Sequence, residues 1–241
     1  MFDLRHFVLR FVPVSGLIFL VVLTTEVNAQ FDSIIFARND IYSPKAIVFM
    51  GDQNDDGCDD FVLVKYPSTW GYDAKALLFY GGKQINPIPT LEISFFRGIP
   101  GQITACDFNR DGYRDLIIAT YQSKPLQLNV YLGGPGMDTL IDYTFRVADS
   151  GVFAYRFLGQ DWPIDMNGDG FEELILILHT SSMFNRKGAF YHFNSAEIMD
   201  SVPVGIISYT PDEEISPYDI THGDLDGDGR TDLTFIITNP A

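Results

Sequence analysis

Short apolar blocks separated by polar turns recur along most of the chain. Four of these blocks, DFVLVKY, DLIIATY, ELILILH and DLTFIIT, come at the end of a nine-residue acidic stretch. Continuous apolar runs of this length are typical of strands that are buried on both faces of a sheet. The pattern therefore predicts buried β-strands that repeat along the sequence.

Further apolar segments flank each of these runs. One precedes each acidic stretch (KAIVFMGD, GQITACD, DWPIDM and DITHGDL), and two follow the run in the first three repeats: ALLFYGG with TLEISFF, QLNVYLGGPG with LIDYTFRV, and GAFYHFNS with GIISYT. Each complete repeat is thus predicted to hold four short strands, A to D, with the acidic stretch joining A to B. The units are about 46–100, 101–155, 156–218 and 219–241.

The acidic stretches share one nine-residue pattern. They read DQNDDGCDD from Asp52, DFNRDGYRD from Asp107, DMNGDGFEE from Asp165 and DLDGDGRTD from Asp224. Side chains with oxygen ligands fall at positions 1, 3, 5 and 9, and glycine at position 6 permits a tight turn. A single such stretch would be an ordinary polar turn, but four copies at the same place in four repeats indicate a shared function.

This donor set suits calcium, which binds six to eight oxygens from carboxylates, amides, backbone carbonyls and water. A helix-flanked calcium hand is excluded, because it needs Glu at position 12, where all four repeats are apolar. We predict up to four Ca²⁺ ions, each with a position 7 backbone carbonyl as an added ligand. The predicted ligands are Asp52, Asn54, Asp56, Cys58 and Asp60; Asp107, Asn109, Asp111, Tyr113 and Asp115; Asp165, Asn167, Asp169, Phe171 and Glu173; and Asp224, Asp226, Asp228, Arg230 and Asp232.

The composition is that of an acidic globular protein. Of the 241 residues 46% are hydrophobic, and 20 Phe and 12 Tyr supply material for a sizeable core. The formal net charge of -16 argues against a nucleic-acid partner, which would need a basic surface. The crowded carboxylates repel one another, so folding should be linked to calcium binding. Arg110 and Arg114 reduce the net negative charge of the second stretch. This stretch is therefore predicted to bind calcium most weakly.

The N-terminus has the features of an export signal. Basic residues precede an uncharged run over 11–25, and small residues lead up to a predicted cleavage after Ala29. The run is shorter than the roughly 20 apolar residues of a membrane span, which disfavours an uncleaved anchor. We predict a signal peptide over 1–29 and a mature domain over 30–241 that is secreted, either periplasmic or extracellular, with no membrane span after cleavage.

Two cysteines lie close to the acidic stretches. Cys58 is at position 7 of the first, and Cys106 directly precedes the second. An exported protein can form disulfides, so these residues could bridge adjacent units. Position 7 also takes Tyr, Phe and Arg in the other repeats, and we therefore favour two free thiols.

The pattern D-x-[DN]-x-D-G-x-x-[DE] between two strands, with a YGG or LGGPG turn after the third strand, resembles the FG-GAP repeat of integrin alpha subunits. It is also similar to the VCBS repeats of secreted bacterial proteins. The resemblance spans about Ile34 to the C-terminus, and Glu173 departs from it at the final position. It implies an all-β fold: a β-propeller of four-stranded blades, with calcium in the A–B loops on one face and ligands met on the other.

The number of units leaves three arrangements open. The chain holds about three complete blades and a partial fourth, where integrin-like propellers have about seven. FDSIIFARN near the N-terminus supplies one extra strand, which would complete the last blade of a four-bladed ring. Otherwise the units form an open array or part of a longer propeller, and exposed apolar end faces would lead to self-association as a structural subunit.

The sequence favours binding over catalysis. His179, His192 and His222 have no counterparts in the other units and fit strand or loop positions. No nucleophile elbow, zinc spacing or phosphate loop is found. We predict a non-catalytic binding or cell-adhesion module for an extracellular protein or glycan. An accessory part of a carbohydrate-active enzyme is the weaker alternative.

The loops between strands B and C carry the candidate contacts with that ligand. Trp70 and Tyr72 in YPSTWGYDAK would stack on a sugar ring or anchor a protein. Phe184, Arg186 and Lys187 in TSSMFNRKG would form a second contact. The alternative is that these side chains pack on their own unit.

Overall fold

The computed structural model describes an all-β protein, as the apolar pattern predicts. The described residues are 7–10, 21–24, 42–67, 73–83, 85–95, 103–120, 126–147, 152–158, 164–180, 188–193, 204–209 and 214–238. No helix occurs among them, and none is therefore available there to cross a membrane. The strands are β1 (Phe7–Arg10), β2 (Val21–Thr24), β3 (Tyr42–Gly51), β4 (Asp60–Pro67), β5 (Ala74–Phe79), β6 (Leu91–Phe95), β7 (Ile103–Cys106), β8 (Asp115–Thr120), β9 (Leu126–Tyr131), β10 (Tyr143–Val147), β11 (Val152–Leu158), β12 (Leu174–Thr180), β13 (Gly188–Phe193), β14 (Gly205–Tyr209), β15 (Glu214–Gly223) and β16 (Asp232–Thr238).

Three sheets of four antiparallel strands follow one another along the chain. They consist of β3 to β6, β7 to β10 and β11 to β14, and in each sheet every strand pairs with the next in sequence. β15 and β16 form a two-stranded sheet, and so do β1 and β2. None of the described sheets closes on itself. In each of the three large sheets, and in the sheet of β15 and β16, the nine-residue acidic stretch lies between the first two strands and leads directly into the second.

The first strand of the third sheet differs from the prediction. The segment DWPIDM was expected to form it, but β11 (Val152–Leu158) pairs with β12 instead. DWPIDM contains Pro163, which has no N–H to donate to a sheet. VFAYRFL in β11 is richer in aromatic and apolar residues, which favour a strand.

Successive side chains of the second sheet point to opposite faces, and a separate core lies on each face. In β8, Leu116 and Ile118 belong to the core shared with the first sheet, whereas Ile117 and Ala119 belong to the core shared with the third. All of β8 is buried. Burial of each large apolar side chain contributes roughly 1.5–3 kcal/mol. The prediction of strands buried on both faces is confirmed for this strand.

The first sheet has an outer face, on the side away from the second sheet. Phe61 of β4 pairs with Phe49 of β3, and Leu63 pairs with Ile47, so these four side chains point to the same side. Ile47 is 41% exposed and Phe49 52% exposed. In the second sheet the pair that corresponds to Phe61 and Phe49 is Leu116 and Ala105. There Ala105 is 1% exposed because the first sheet covers it. The outer face comprises the exposed Ile47 and Phe49 together with four side chains that are already buried, Phe61, Leu63, Leu77 and Phe79.

Candidate metal centres

The carboxylate at position 1 organises each acidic loop. Asp107 Oδ1 accepts the N–H of Asp111 at 3.1 Å, and its Oδ2 accepts the N–H of Gly112 at 3.0 Å. The position 1 residues of the other loops, Asp52, Asp165 and Asp224, accept the same two N–H groups. Side-chain acceptors of this kind replace the backbone partners that a tight turn lacks.

Positions 3 and 5 continue the same scheme. Asn167 Oδ1 accepts the N–H of Asp169 at 2.7 Å, and Asp169 Oδ1 accepts the N–H of Phe171 at 3.0 Å. The equivalent bonds are present in the other three loops. The four nonamers therefore have one local structure, although their residues at positions 2, 4, 7 and 8 differ.

Left-handed backbone conformations at positions 4 and 6 bend each loop. Position 6 is glycine in every loop, with φ between 84° and 95°. The role predicted for this glycine in the turn is confirmed. Position 4 has positive φ as well, and in two loops it is not glycine: Asp55 has φ 62° and Arg110 has φ 64°. L-residues with side chains seldom adopt this region, so the loop bonds must hold these two residues there.

The acid at position 9 joins the loop to the rest of its sheet. Asp115 is fully buried, and it accepts the N–H of Phe108 through Oδ2 and that of Gly133 through Oδ1. An added Cβ on Gly133 would lie 2.4 Å from the Arg114 carbonyl oxygen. The glycine turn after the third strand is thus required by this close approach. Equivalent bonds to position 9 join Gln53 and Gly81 to Asp60, Met166 to Glu173, and Leu225 to Asp232.

Two loops bring three carboxylate oxygens within 4.8 Å of one another. The groups are Asp165, Asp169 and Glu173 in the third loop, and Asp224, Asp226 and Asp232 in the fourth. Calcium–oxygen distances are about 2.3–2.6 Å, so two oxygens on one ion lie at most about 5 Å apart. A carboxylate oxygen that accepts one N–H keeps a further lone pair for a cation. The donors and their spacing therefore fit Ca²⁺.

Burial shifts the pKa of some loop acids upward, whereas backbone hydrogen bonds shift that of others downward. Desolvation opposes ionisation of Asp52, but its backbone N–H partners, led by Gly57, outweigh it and lower its pKa. At position 9 of the first two loops desolvation dominates, raising the pKa of Asp60 and raising that of Asp115 to about 7. A cation beside position 9 would favour the ionised form, so metal binding and deprotonation are coupled there.

Consecutive loops contact each other through positions 4 and 7. The hydroxyl group of Tyr113 donates to the Asp55 carboxylate at 2.9 Å. The guanidinium of Arg110 lies 4.1 Å from the centre of the Phe171 ring. At the next junction an added Cβ on Gly168 would lie 3.1 Å from Cγ of Arg230, so glycine makes room for that side chain. Each loop therefore packs against the following one.

Arg114 at position 8 joins three of the sheets. Its Nη1 donates to the Phe49 carbonyl and its Nη2 to the Ala105 carbonyl, both at 2.8 Å. Its Nε donates to Glu172 in the third loop at 3.1 Å. Sequence reasoning gave Arg114 and Glu172 no role of this kind, because nothing in a single nonamer shows which unit a side chain will reach.

Two more side chains outside the predicted ligand set bind neighbouring units. Gln53 is fully buried, and its Oε1 accepts the N–H of Gly134, in the turn between β9 and β10, at 2.6 Å. Thr231 Oγ1 accepts the N–H of Asp165 at 3.0 Å, which links the fourth loop to the third. Gln53 is polar, whereas position 2 is apolar in the other three loops. This difference was the one sequence signal for these contacts.

The cysteines near the loops are free thiols in the structure. Cys106 is buried, and desolvation raises its pKa well above the usual value. Desolvation and the neighbouring Asp56 carboxylate also raise the pKa of Cys58. Both residues are therefore neutral thiols at neutral pH, with little nucleophilic character.

The residues predicted to contact a protein or glycan, namely Trp70, Tyr72, Phe184, Arg186 and Lys187, lie outside the described residues. A scan against protein-family models gives no match to this chain, and a search of curated proteins gives none either. The resemblance to FG-GAP repeats therefore rests on the nonamers and the glycine turns.

Proposed function

We propose that this protein is a secreted, calcium-stabilised repeat protein of the FG-GAP kind, acting as a non-catalytic binding or adhesion module for an extracellular protein or glycan. The observation that carries the proposal is the single hydrogen-bond scheme shared by four loops of different sequence. In this proposal the three four-stranded sheets are blades of a β-propeller, and the sheet of β15 and β16 belongs to a fourth.

The metal would act on stability. Extracellular calcium modules with dissociation constants near ~0.1 mM, in ~1 mM calcium, gain roughly 1.4 kcal/mol per site. Four sites would contribute about 5 to 6 kcal/mol, which is comparable to the net stability of a whole domain. The calcium ions would therefore hold the units in their folded form, with no part in a reaction.

Calcium titration of residues 30–241 tests the metal sites. Calorimetry should show three or four bound ions, and the Tm in excess calcium should lie well above that in chelator. The single-loop variant Asp224→Ala should lose one ion, whereas Asp73→Ala, at an exposed acid outside the loops, should keep all of them. Absence of binding together with an unchanged Tm would reduce the acidic loops to ordinary turns.

The opposite end of each sheet is the proposed ligand surface. In an antiparallel meander the loop between the second and third strands lies at the end away from the acidic loop. In the first unit this loop contains Trp70 and Tyr72, which suit stacking on a sugar ring or anchoring a protein.

Binding to a glycan array or to immobilised extracellular matrix proteins should be lost in Trp70→Ala with Tyr72→Ala. The control Tyr143→Ala removes an exposed tyrosine on β10 and should leave binding intact.

The exposed apolar residues of the outer face favour a second candidate function, as a structural subunit that self-associates. Ile47 and Phe49 would be covered if another unit packed there, as the first sheet covers the second. In this case the mass in solution should rise with protein concentration, and Phe49→Asp should give monomers. Ile88→Asp is the control, because Ile88 is 70% exposed in the turn between β5 and β6. A monomeric wild-type protein would exclude this candidate.

A further inference from the structure

The side chain of Arg110 leaves its own loop and lies against the next one. Arg110 is at position 4 of the second loop, where its positive φ of 64° turns the side chain toward the third unit. Nη2 donates to Asp169 Oδ2 at 2.7 Å, and the guanidinium lies over the Phe171 ring. Both partners belong to the third loop. The charge of Arg110 therefore acts on a loop to which the residue does not belong in sequence.

Asp169 is a predicted calcium ligand, and Arg110 engages one of its two oxygens. Oδ1 accepts the N–H of Phe171, so Oδ2 is the oxygen held by the guanidinium. In the first two loops the equivalent oxygens of Asp56 and Asp111 accept a neutral amide from Asn at position 3. In the fourth loop, the arginine near Asp228 belongs to the same loop, and its nitrogen is 3.9 Å away.

We propose that Arg110 is an internal competitor of calcium in the third loop, an inference that rests on the proposed function. A guanidinium bonded to a ligand carboxylate repels an incoming cation and occupies an acceptor that the cation needs. The same contact cancels part of the charge of the empty loop and stabilises it. Arg110 thus lowers the calcium affinity of the third loop and limits the loss of stability when that loop is empty.

Replacement of Arg110 by Gln removes the charge and keeps a side chain of similar polarity. In Arg110→Gln one calcium site should bind roughly two- to fivefold more tightly, the range expected for a partly exposed charge pair. The Tm in chelator should fall, and the Tm in excess calcium should not. Arg146→Gln is the matched control, since it makes the same change in net charge at an exposed position on β10. Arg110→Lys keeps the charge and should retain an affinity near that of the wild type.

Two second-site variants identify the loop that changes. Asp165→Ala disables the third loop, so adding it to Arg110→Gln should remove the tightened site. Asp107→Ala disables the second loop, to which Arg110 itself belongs, and the tightened site should persist in that background. Calorimetric titration of the folded protein at a temperature below the Tm of every variant gives these affinities directly.

The possible results separate the two levels of the proposal. Calcium binding with unchanged affinities in Arg110→Gln would overturn the role of Arg110 and leave the calcium sites standing. Tightening that disappears with Asp107→Ala would also overturn it, because the charge would then act within its own loop. A wild-type protein that binds no calcium would overturn the proposed function itself.

Discussion

Asp115, at position 9 of the second loop, would be an unusual calcium ligand because the fold already uses both of its oxygens. Asp115 accepts two backbone N–H groups and is fully buried. Desolvation still prevails over these bonds and raises the pKa to about 7. Without a cation the residue is therefore close to half protonated at neutral pH. A bound Ca²⁺ would hold it in the ionised form.

This burial gives the calcium-free protein a distinctive pH dependence. The pKa of Asp115 is higher in the folded than in the unfolded chain, so its contribution to stability is complete below about pH 4 and is lost as the pH rises to about 7. Urea unfolding in calcium-free buffer should show this decline. Asp115→Asn cannot titrate and should show a flatter dependence. Identical slopes in the two proteins would contradict the prediction, and saturating calcium should abolish the decline in the wild type.

The glycine at position 6 is needed for its backbone conformation alone. Gly112 has φ 95°, and an added Cβ would meet no atom within 4 Å. Gly112→Ala should therefore reduce the unfolding free energy by about 1–2 kcal/mol through backbone strain without a steric clash. Gly136→Ala is the control, because Gly136 also has open space around it and no positive φ. Equal stability of both variants in chemical unfolding would argue against strain at position 6.

At the scale of the elements, the sheets are held together by polar contacts near the loops as well as by apolar cores. Arg114 donates to carbonyl groups of β3 and β7 and to Glu172 in the third loop. A lysine would keep the charge but lacks the planar fork that serves several acceptors at once. Arg114→Lys should lower the unfolding free energy by about 1–2 kcal/mol.

Arg146→Lys on β10 serves as the comparison for Arg114→Lys, since it makes the same substitution at an exposed strand position. The difference between the two variants, measured by urea unfolding, isolates the effect of the links between sheets. A loss of stability at Arg114 no larger than that at Arg146 would show that the carbonyl bonds contribute little.

The sequence predicts the elements well and the contacts between them poorly. The repeated nonamers and apolar runs are local patterns, and they predict the loops, the position 6 turn and every strand of the three large sheets except β11. The strand β11 was misplaced because DWPIDM precedes its loop as closely as the first strands of the other units do. The partners of Asp55 and Arg110 lie 58 to 61 residues away, so no local pattern in the sequence identifies them.

For the whole molecule, repulsion among the acidic side chains opposes folding when no metal is bound. The predicted signal peptide carries two acids and two arginines, so the mature chain keeps a net charge of -16. Ions shorten the range of this repulsion to about 10 Å at 0.1 M salt. In chelator, a rise of sodium chloride from about 0.05 to 0.5 M should increase the Tm, and the increase should be much smaller in saturating calcium. The same salt effect in both conditions would mean that calcium does not offset the loop charges.

The contacts between positions 4 and 7 also make the order of the units a property of the sequence. Asp55 suits the hydroxyl of Tyr113, Arg110 suits the ring of Phe171, and Gly168 leaves space for Arg230. Excision of the third unit would bring Arg110 against Arg230, two like charges in place of a cation over a ring. Such repeats are therefore not interchangeable parts, and a library of shuffled units should return folded chains mainly in the native order.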